Sequence, residues 1–245
     1  MSDPSVPHKA NPPSPAYLLG RTTAPLFLQA EWLFRALGGE EAKRIETERL
    51  LGTWMAKTYE SRMVAVENNR LSRIAEKLTE RLRDRRRRFS FKLDRSPQPN
   101  ALSIPGGFVY VSESLFDLCG EDLDAVAFVL AHEIAHDVLG DAARLRLSRT
   151  AIRALLRARR GAHPLLLEAT QRLFRQGYAR SRELRADRFA ARLTHAAGFD
   201  PLGGSRLFAR MAKLGGDAAK TGWFASHPPA TERIDRLRER AEALQ

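Results

Sequence analysis

Residues 124–140, DAVAFVLAHEIAHDVLG, constrain the fold most, because they are helical by pattern and apolar on nearly every side, yet carry His132, Glu133 and His136. A helix that is apolar all round is buried, and burying two imidazoles and a carboxylate without partners is costly. Residues four apart share one helix face, so both histidines can reach a single ion. We therefore predict a zinc ion on His132 and His136, with Glu133 beside it as the base that accepts a proton from water.

A third protein ligand is expected, because zinc in a catalytic site takes three and keeps a position open for water. One candidate pair lies in SRELRADRFA, residues 181–190, where Glu183 and Asp187 are four apart and share a helix face. From the residues alone, this pair fits a ligand with its orienting partner as well as it fits a surface network of glutamate and arginine. The remaining histidines are His8, His163, His195 and His227.

The rest of the chain is predominantly helical by pattern. Helical periodicity runs over 26–88, and helices are predicted over about 121–139, 164–197, 201–214 and 231–243. Phe89, Phe91 and Leu93 alternate with polar residues as in a half-buried strand, and a second β-prone run covers 108–111. The predicted fold class is α+β, predominantly helical, with a small sheet beside the helix that carries the HExxH motif of His132, Glu133 and His136.

One domain is the simplest organisation, because no linker rich in glycine or serine divides the chain. We predict a disordered proline-rich segment over 1–25 and a single domain over 26–245. Within that domain, 26–88 form a helical amino-terminal part and 89–237 the core that carries the site.

Charge and targeting signals bear on partners and location. The net charge of +12 suits an anionic partner surface, and it suits a well-solvated arginine-rich surface equally, so we expect no specific nucleic-acid partner. A single cysteine excludes an internal disulfide. Neither a secretory signal nor a transmembrane helix is evident, which favours a cytoplasmic or peripheral membrane location.

Several segments resemble the gluzincin zinc metallopeptidases of family forty-eight, the group of the HtpX, BepA, Oma and CAAX prenyl proteases. HEIAH followed by RELRAD is similar to the metal motif of that family. NALSIPGGFVYVSESLF resembles its strand before the active-site helix, GFDPLGGSRLFARM its helix after the third ligand, and SHPPATERIDRL its closing motif. The likeness covers roughly residues 71–237.

The resemblance implies a role for each matching residue. His132, His136 and Glu183 would bind Zn²⁺, Glu133 would activate water, and Asp187 would orient a ligating histidine. His227 and Arg233 match family residues near the site, and either would stabilise the oxyanion or contact the metal in a resting state. From the residues alone, His227 is a rigidly placed loop histidine beside two prolines.

The expected function is that of a zinc metalloendopeptidase acting on protein or peptide substrates, with protein quality control as one setting. A peptide would lie antiparallel to the second strand, held by its unpaired backbone groups. The residues of that strand are Phe108, Val109, Tyr110 and Val111.

Two other functions remain open at this point. One is a catalytically inactive zinc-binding chaperone or scaffold, and the other is a basic adaptor for a membrane surface or nucleic acid. The arginine-rich stretch over 144–160 is interleaved with leucine and isoleucine. It is predicted either to pack on the core with its cations solvated or to make peripheral contact with an anionic membrane.

Overall fold

The computed structural model describes residues 41–61, 63–141, 180–214, 223, 227 and 231–244. These residues form seven helices and four strands, which confirms the predicted fold class, a mostly helical protein with a small sheet. In chain order they are α1 (Glu41–Glu60), β1 (Ala65–Val66), α2 (Asn69–Glu80), β2 (Ser90–Asp94), β3 (Ala101–Ile104), β4 (Phe108–Ser112), α3 (Glu113–Cys119), α4 (Leu123–Val138), α5 (Arg180–Ala196), α6 (Gly203–Leu214) and α7 (Thr231–Glu242).

The four strands form one sheet in the order β1-β2-β4-β3. β2 and β4 pair in parallel, whereas β1 pairs antiparallel with β2 and β3 pairs antiparallel with β4. The turn between β3 and β4 needs glycine, because Gly106 and Gly107 have φ values of +83° and +88°. A side chain at Gly107 would also meet the Arg88 carbonyl oxygen at 2.1 Å. The strand order makes β1 and β3 the two edges of the described sheet.

Helices cover both faces of the sheet. Along β4, Val109 and Val111 belong to the main core with α4, while Tyr110 packs with Ala56 of α1 and Ile104 of β3 in a smaller cluster. This division follows from the period of two along a strand, which sends successive side chains to opposite faces. The site-bearing helix α4 consequently lies on the opposite face of the sheet from α1.

Helix α4 is the centre of the main core, and every position from Ala125 to Asp137 is buried. The Asp122 carboxylate begins the helix by accepting a hydrogen bond from the Ala125 N–H at 3.1 Å. Gly140 follows its end in the left-handed region, with a φ of +70°. The helix is therefore held at both ends while its sides are enclosed.

Several of the other helices pack around α4. Helices α2, α5 and α6 pack directly against it, as does strand β3, while α7 packs on α5 and α6. On α2, the buried residues Leu71, Ile74 and Leu78 recur at helical spacing, and the Asn68 side chain accepts from two backbone N–H groups of the first turn. This arrangement lets α5 and α7 bring side chains to α4 from later in the chain.

One prediction about the sheet is wrong. The strand of Phe108, Val109, Tyr110 and Val111 does not offer unpaired backbone groups to a peptide, because β4 pairs with β2 on one side and with β3 on the other. The sequence pattern also misses β1 and β3. Among the described strands, the edge strand that packs against α4 is therefore β3 rather than β4.

The helical periodicity predicted over 26–88 is also interrupted. Helix α1 ends at Glu60, the short strand β1 follows, and α2 begins after Asn68. The predicted segment 1–25, the arginine-rich stretch over 144–160, His8 and His163 lie outside the described residues. Among the helices that the structure describes, none has the length and apolarity that crossing a bilayer demands.

Candidate metal centre

Helix α4 brings His132 and His136 together on successive turns. Their Nε2 atoms lie 3.1 Å apart, and both side chains are fully buried. Glu133, the next residue after His132, is also buried and lies beside this pair. The helical spacing that the sequence indicated therefore results in two imidazole nitrogens that face one point.

Helix α5 supplies a carboxylate to the same point. One oxygen of Glu183 lies 3.5 Å from His132 Nε2, and the other lies 3.5 Å from His136 Nε2. Helices α4 and α5 pack closely, and α5 turns the small residues Ala186, Ala190 and Ala191 into the buried interface. Small side chains shorten the distance between two helices, which lets a glutamate reach across.

His227 completes a group of four. Its Nδ1 lies 3.0 Å from Glu183 Oε2 and 3.4 Å from His132 Nε2, and its Nε2 lies 3.6 Å from Glu133 Oε1. The donor atoms of His132, His136, Glu183 and His227 all lie within 4.8 Å of one another. His195, in contrast, is exposed near the end of α5 and does not belong to this group.

The two helix histidines are each backed by a carboxylate. His132 Nδ1 lies 3.0 Å from Asp187 Oδ1, and His136 Nδ1 lies 3.3 Å from Asp141 Oδ2. A carboxylate at these distances favours a proton on each Nδ1, and in that tautomer the Nε2 lone pairs are directed at each other across 3.1 Å. Two lone pairs at that distance repel each other unless a proton or a metal cation lies between them. The residues present therefore fit a metal ion held by nitrogen and oxygen donors.

The protonation of the metal-free centre shows the same demand for positive charge. Burial lowers the pKa of His132, but hydrogen bonds to Asp187 and Glu183 outweigh it and raise that pKa to about 9. Burial lowers the pKa of His136 to about 3. Burial also opposes ionisation of Glu183, yet His227 and His132 hold its pKa well below the ordinary value. Without a metal ion, a proton on His132 therefore supplies the positive charge among these donors.

The Asp187 carboxylate is itself fixed by Arg233 from α7. Arg233 Nε and Nη2 each donate to an Asp187 oxygen at 2.7 Å, and its Nη1 donates to the His227 carbonyl at 3.1 Å. Arg233 Nη1 also lies 3.4 Å from Glu183. One guanidinium therefore joins the carboxylate behind His132, a carboxylate of the donor group and the backbone of His227.

Sequence reasoning did not identify two residues of this centre. Asp141 is fully buried, faces His136 and accepts from Arg185 at 2.9 Å. Trp223 is fully buried and donates its indole N–H to Glu133 Oε1 at 2.9 Å. Asp141 follows Gly140 just past the end of α4, and no helical spacing links it to His136. Trp223 showed no signal beyond an aromatic residue in a predicted loop near His227.

Comparisons with known proteins agree with this geometry. The model of "Peptidase family M48" matches residues 65–241. The chain is 34% identical over 151 residues to the mitochondrial metalloendopeptidase OMA1 of Schizosaccharomyces pombe, which covers 59% of this chain and 44% of that protein. It is 30% identical over 153 residues to OMA1 of Saccharomyces cerevisiae, with the same two coverages. It is 29% identical over 159 residues to the metalloprotease YcaL of Escherichia coli, covering 62% of this chain and 61% of YcaL.

The family model spans well over half of the chain, and its range includes α4, α5 and all but the last residue of α7, with all the residues of the metal centre. The chain spans less than half the length of the two OMA1 proteins it matches. The buried group of three histidines and one glutamate has the donors and spacing to hold a metal ion. This chain belongs to peptidase family M48, the family of metallopeptidases that its sequence resembles.

Proposed function

We propose that this chain is a zinc-dependent endopeptidase that hydrolyses peptide bonds in protein substrates. The observation that carries the proposal is a carboxylate, Glu133, beside a buried group of three imidazoles and a second carboxylate. Imidazole and carboxylate donors suit Zn²⁺, and a glutamate one residue after a ligating histidine is in reach of a water at the open position. The names of the metalloendopeptidase relatives support the same class of reaction.

Each residue of the site has its own role in the proposed reaction. His132, His136 and Glu183 would hold Zn²⁺, which would supply Lewis acidity to a water and to the scissile carbonyl. Glu133 accepts the proton of the attacking water and then gives it to the departing amine nitrogen, so that the peptide C–N bond breaks. Burial strengthens each of these electrostatic contacts, because the local dielectric constant is far below that of water.

Two further residues receive roles from their contacts. His227 reaches Glu183 and His132, which supports a contact with the metal in a resting state that gives way when water and substrate bind. Arg233 is engaged by Asp187, Glu183 and the His227 backbone, which supports a positioning role for its guanidinium rather than direct contact with an oxyanion. Asp187 and Asp141 orient His132 and His136 from behind.

For the substrate, we propose strand addition along β3. Among the residues that the structure describes, this strand is an edge of the sheet that pairs with β4 alone, and it packs against α4. A peptide that pairs antiparallel with β3 is read mainly through its backbone, which is compatible with broad side-chain specificity. Mutation of Ser103 to proline removes a backbone donor from this edge strand and is expected to raise KM more than it lowers kcat.

We also propose that the protein acts in protein quality control and that it makes peripheral contact with an anionic membrane. The net charge of +12 supports attraction to such a surface, and the arginine-rich stretch over 144–160 is the segment we assign to it. Flotation with phosphatidylglycerol vesicles should exceed flotation with phosphatidylcholine vesicles and should fall as salt rises. Equal recovery with both lipids would remove the membrane from the proposal.

The central experiment combines metal content with hydrolysis of a fluorogenic peptide. Glu133→Gln should keep one Zn²⁺ per chain and lose at least about 10³-fold in kcat, because the proton acceptor is gone. Glu183→Ala should lose both metal and activity. Glu121→Gln is the matched control, since the Glu121 side chain is 97% exposed, and it should behave as the parent protein.

The results also separate an enzyme from an inactive zinc-binding scaffold. Stoichiometric Zn²⁺ with no chelator-sensitive hydrolysis of casein or peptide would favour the scaffold. Undiminished hydrolysis by Glu133→Gln would contradict the role of Glu133 as base. Salt-dependent nucleic-acid binding that survives His132→Ala would favour a basic adaptor.

A further inference from the structure

Trp223 makes a direct contact with the carboxylate of Glu133 that the reaction scheme above does not use. The indole Nε1–H donates to Glu133 Oε1 at 2.9 Å, and both side chains are at most 1% exposed. A hydrogen bond from a neutral donor to a carboxylate is charge-assisted and directional, and more so away from water. The contact therefore fixes the position of one of the two oxygens of Glu133.

The indole is held from several sides. Its ring is stacked on Phe208 with the centroids 5.8 Å apart, and it meets the His132 ring edge to face at 5.4 Å. The Trp223 backbone N–H donates to the Pro99 carbonyl at 3.0 Å, and the Trp223 carbonyl accepts from the His227 N–H at 2.8 Å. The direction of the indole N–H is consequently set by packing and backbone together.

The apolar area that the Trp223 ring buries determines whether the indole stays in place during turnover. Trp223 belongs to the main hydrophobic core and is fully buried. Exposing about 200 Å² of apolar ring would disfavour a displaced state by on the order of 10³-fold. A side chain held this strongly acts as a fixed part of the site rather than as a movable cover.

We propose that Trp223 is a positioning residue for the catalytic base. A carboxylate rotates about its terminal bond, so the hydrogen bond from the indole N–H to Oε1, an oxygen that also lies 3.6 Å from His227 Nε2, fixes that rotation and with it the positions of both oxygens beside the metal centre. The inference rests on the proposed function, in which Glu133 acts as the general base. Trp223 does not itself touch the reacting atoms.

The first test is Trp223→Phe, which keeps an aromatic ring but removes the N–H donor. A misplacement of a base by about 1 Å can cost about 10²-fold, so we expect kcat to fall by roughly ten- to a hundred-fold. KM for a fluorogenic peptide should stay within about twofold, and bound Zn²⁺ should stay at one per chain. Replacing only the indole nitrogen by sulfur, as benzothienylalanine at this position, should give the same loss with nearly unchanged ring volume.

Two comparisons separate positioning from packing. Met211→Ala removes volume from another buried member of the same core and should lower the melting temperature without lowering kcat of the folded protein. In a Glu133→Asp background, whose shortened carboxylate no longer meets the indole, Trp223→Phe should cost less than about twofold further. A full additional loss in that background, or an unchanged kcat in Trp223→Phe alone, would overturn the proposal.

A third measurement does not depend on peptidase activity. In the metal-free protein, the indole N–H of Trp223, assigned in the ¹⁵N spectrum by its absence from Trp223→Phe, should exchange with solvent slowly. Glu133→Ala should make that exchange at least about tenfold faster, whereas Glu121→Ala should leave it unchanged. Rapid exchange in the parent protein would exclude the hydrogen bond, even if Glu133→Gln had confirmed the base.

Discussion

Arg233 holds both oxygens of Asp187 at 2.7 Å, one through Nε and the other through Nη2. Both side chains are at most 5% exposed, and the same carboxylate lies 3.0 Å from His132 Nδ1. A guanidinium from the last helix therefore fixes the acceptor behind a residue of α4. The paired, planar geometry is one that arginine provides and lysine does not.

Removal of this guanidinium should weaken both folding and metal binding. Arg233→Met leaves Asp187 buried without its cation, so the free energy of unfolding should fall by about 3–5 kcal/mol. Zn²⁺ affinity should fall by about 10- to 100-fold, because His132 loses its fixed orientation. Chemical denaturation and chelator competition measure the two effects. Arg233→Lys keeps the charge and serves as the variant to use if the methionine protein does not fold.

The matched control for Arg233 lies one turn further along α7. Arg236 is 47% exposed and pairs with Glu232, so Arg236→Met should change either quantity by less than about 0.5 kcal/mol. Equal losses in the two variants would mean that the effect belongs to α7 in general and not to the contact with Asp187.

Asp141 should matter for the second histidine as Asp187 does for the first. Asp141→Asn removes the charge that faces His136 Nδ1 and should lower Zn²⁺ affinity by about 10- to 100-fold. Asp117→Asn changes an exposed aspartate on α3 and is the control. Zinc affinity measured by chelator competition should distinguish them, and a parental affinity in Asp141→Asn would contradict the orienting role.

Metal affinity should rise with pH up to about 9. In the metal-free protein the pKa of His132 is raised to about 9, so below that pH an incoming ion must displace a proton from it. His136, with its pKa lowered to about 3, is already neutral. Apparent affinity should therefore fall by about tenfold for each pH unit below 9. Calorimetry in two buffers at about pH 6, below the pKa of about 7 of a zinc-bound water, should show about one proton released per ion, and two protons or none would contradict this assignment.

Acid should remove a stabilising contact at the start of α4. The hydrogen bond from Arg206 lowers the pKa of Asp122, so the folded pKa lies below the unfolded value of about 3.9. The resulting stability is present above that unfolded value and is lost as the pH falls through the folded pKa. Arg206→Gln should cost about 1 kcal/mol at pH 7, because the arginine is partly exposed, and this difference should shrink below about pH 4. Urea denaturation at several pH values tests it, with Arg238→Gln as an exposed control. A difference that grows towards low pH would refute the assignment.

The sheet shows where local pattern is informative and where it is not. Alternation of apolar and polar residues indicates the strand at Ser90–Asp94, and a run of β-prone residues indicates the strand at Phe108–Ser112. Strand β3 has only four residues between a proline-rich and a glycine-rich segment, and it exists because β4 pairs with it. Which strand forms the edge depends on pairing partners, and this explains why β4 was wrongly predicted to bind the peptide.

The sequence by itself determined the buried helix α4 and its paired histidines, because apolar periodicity and a spacing of four are local properties of a helix. It could not determine that Asp141 faces His136, that Arg233 fixes Asp187, or that Trp223 holds Glu133. The last two contacts join residues that are far apart in the chain, and their distances depend on how α5 packs against α4, how α7 packs on α5 and where Trp223 lies in the core. Tertiary packing decided them, since only the folded core brings buried donors and acceptors from distant parts of the chain within hydrogen-bonding distance.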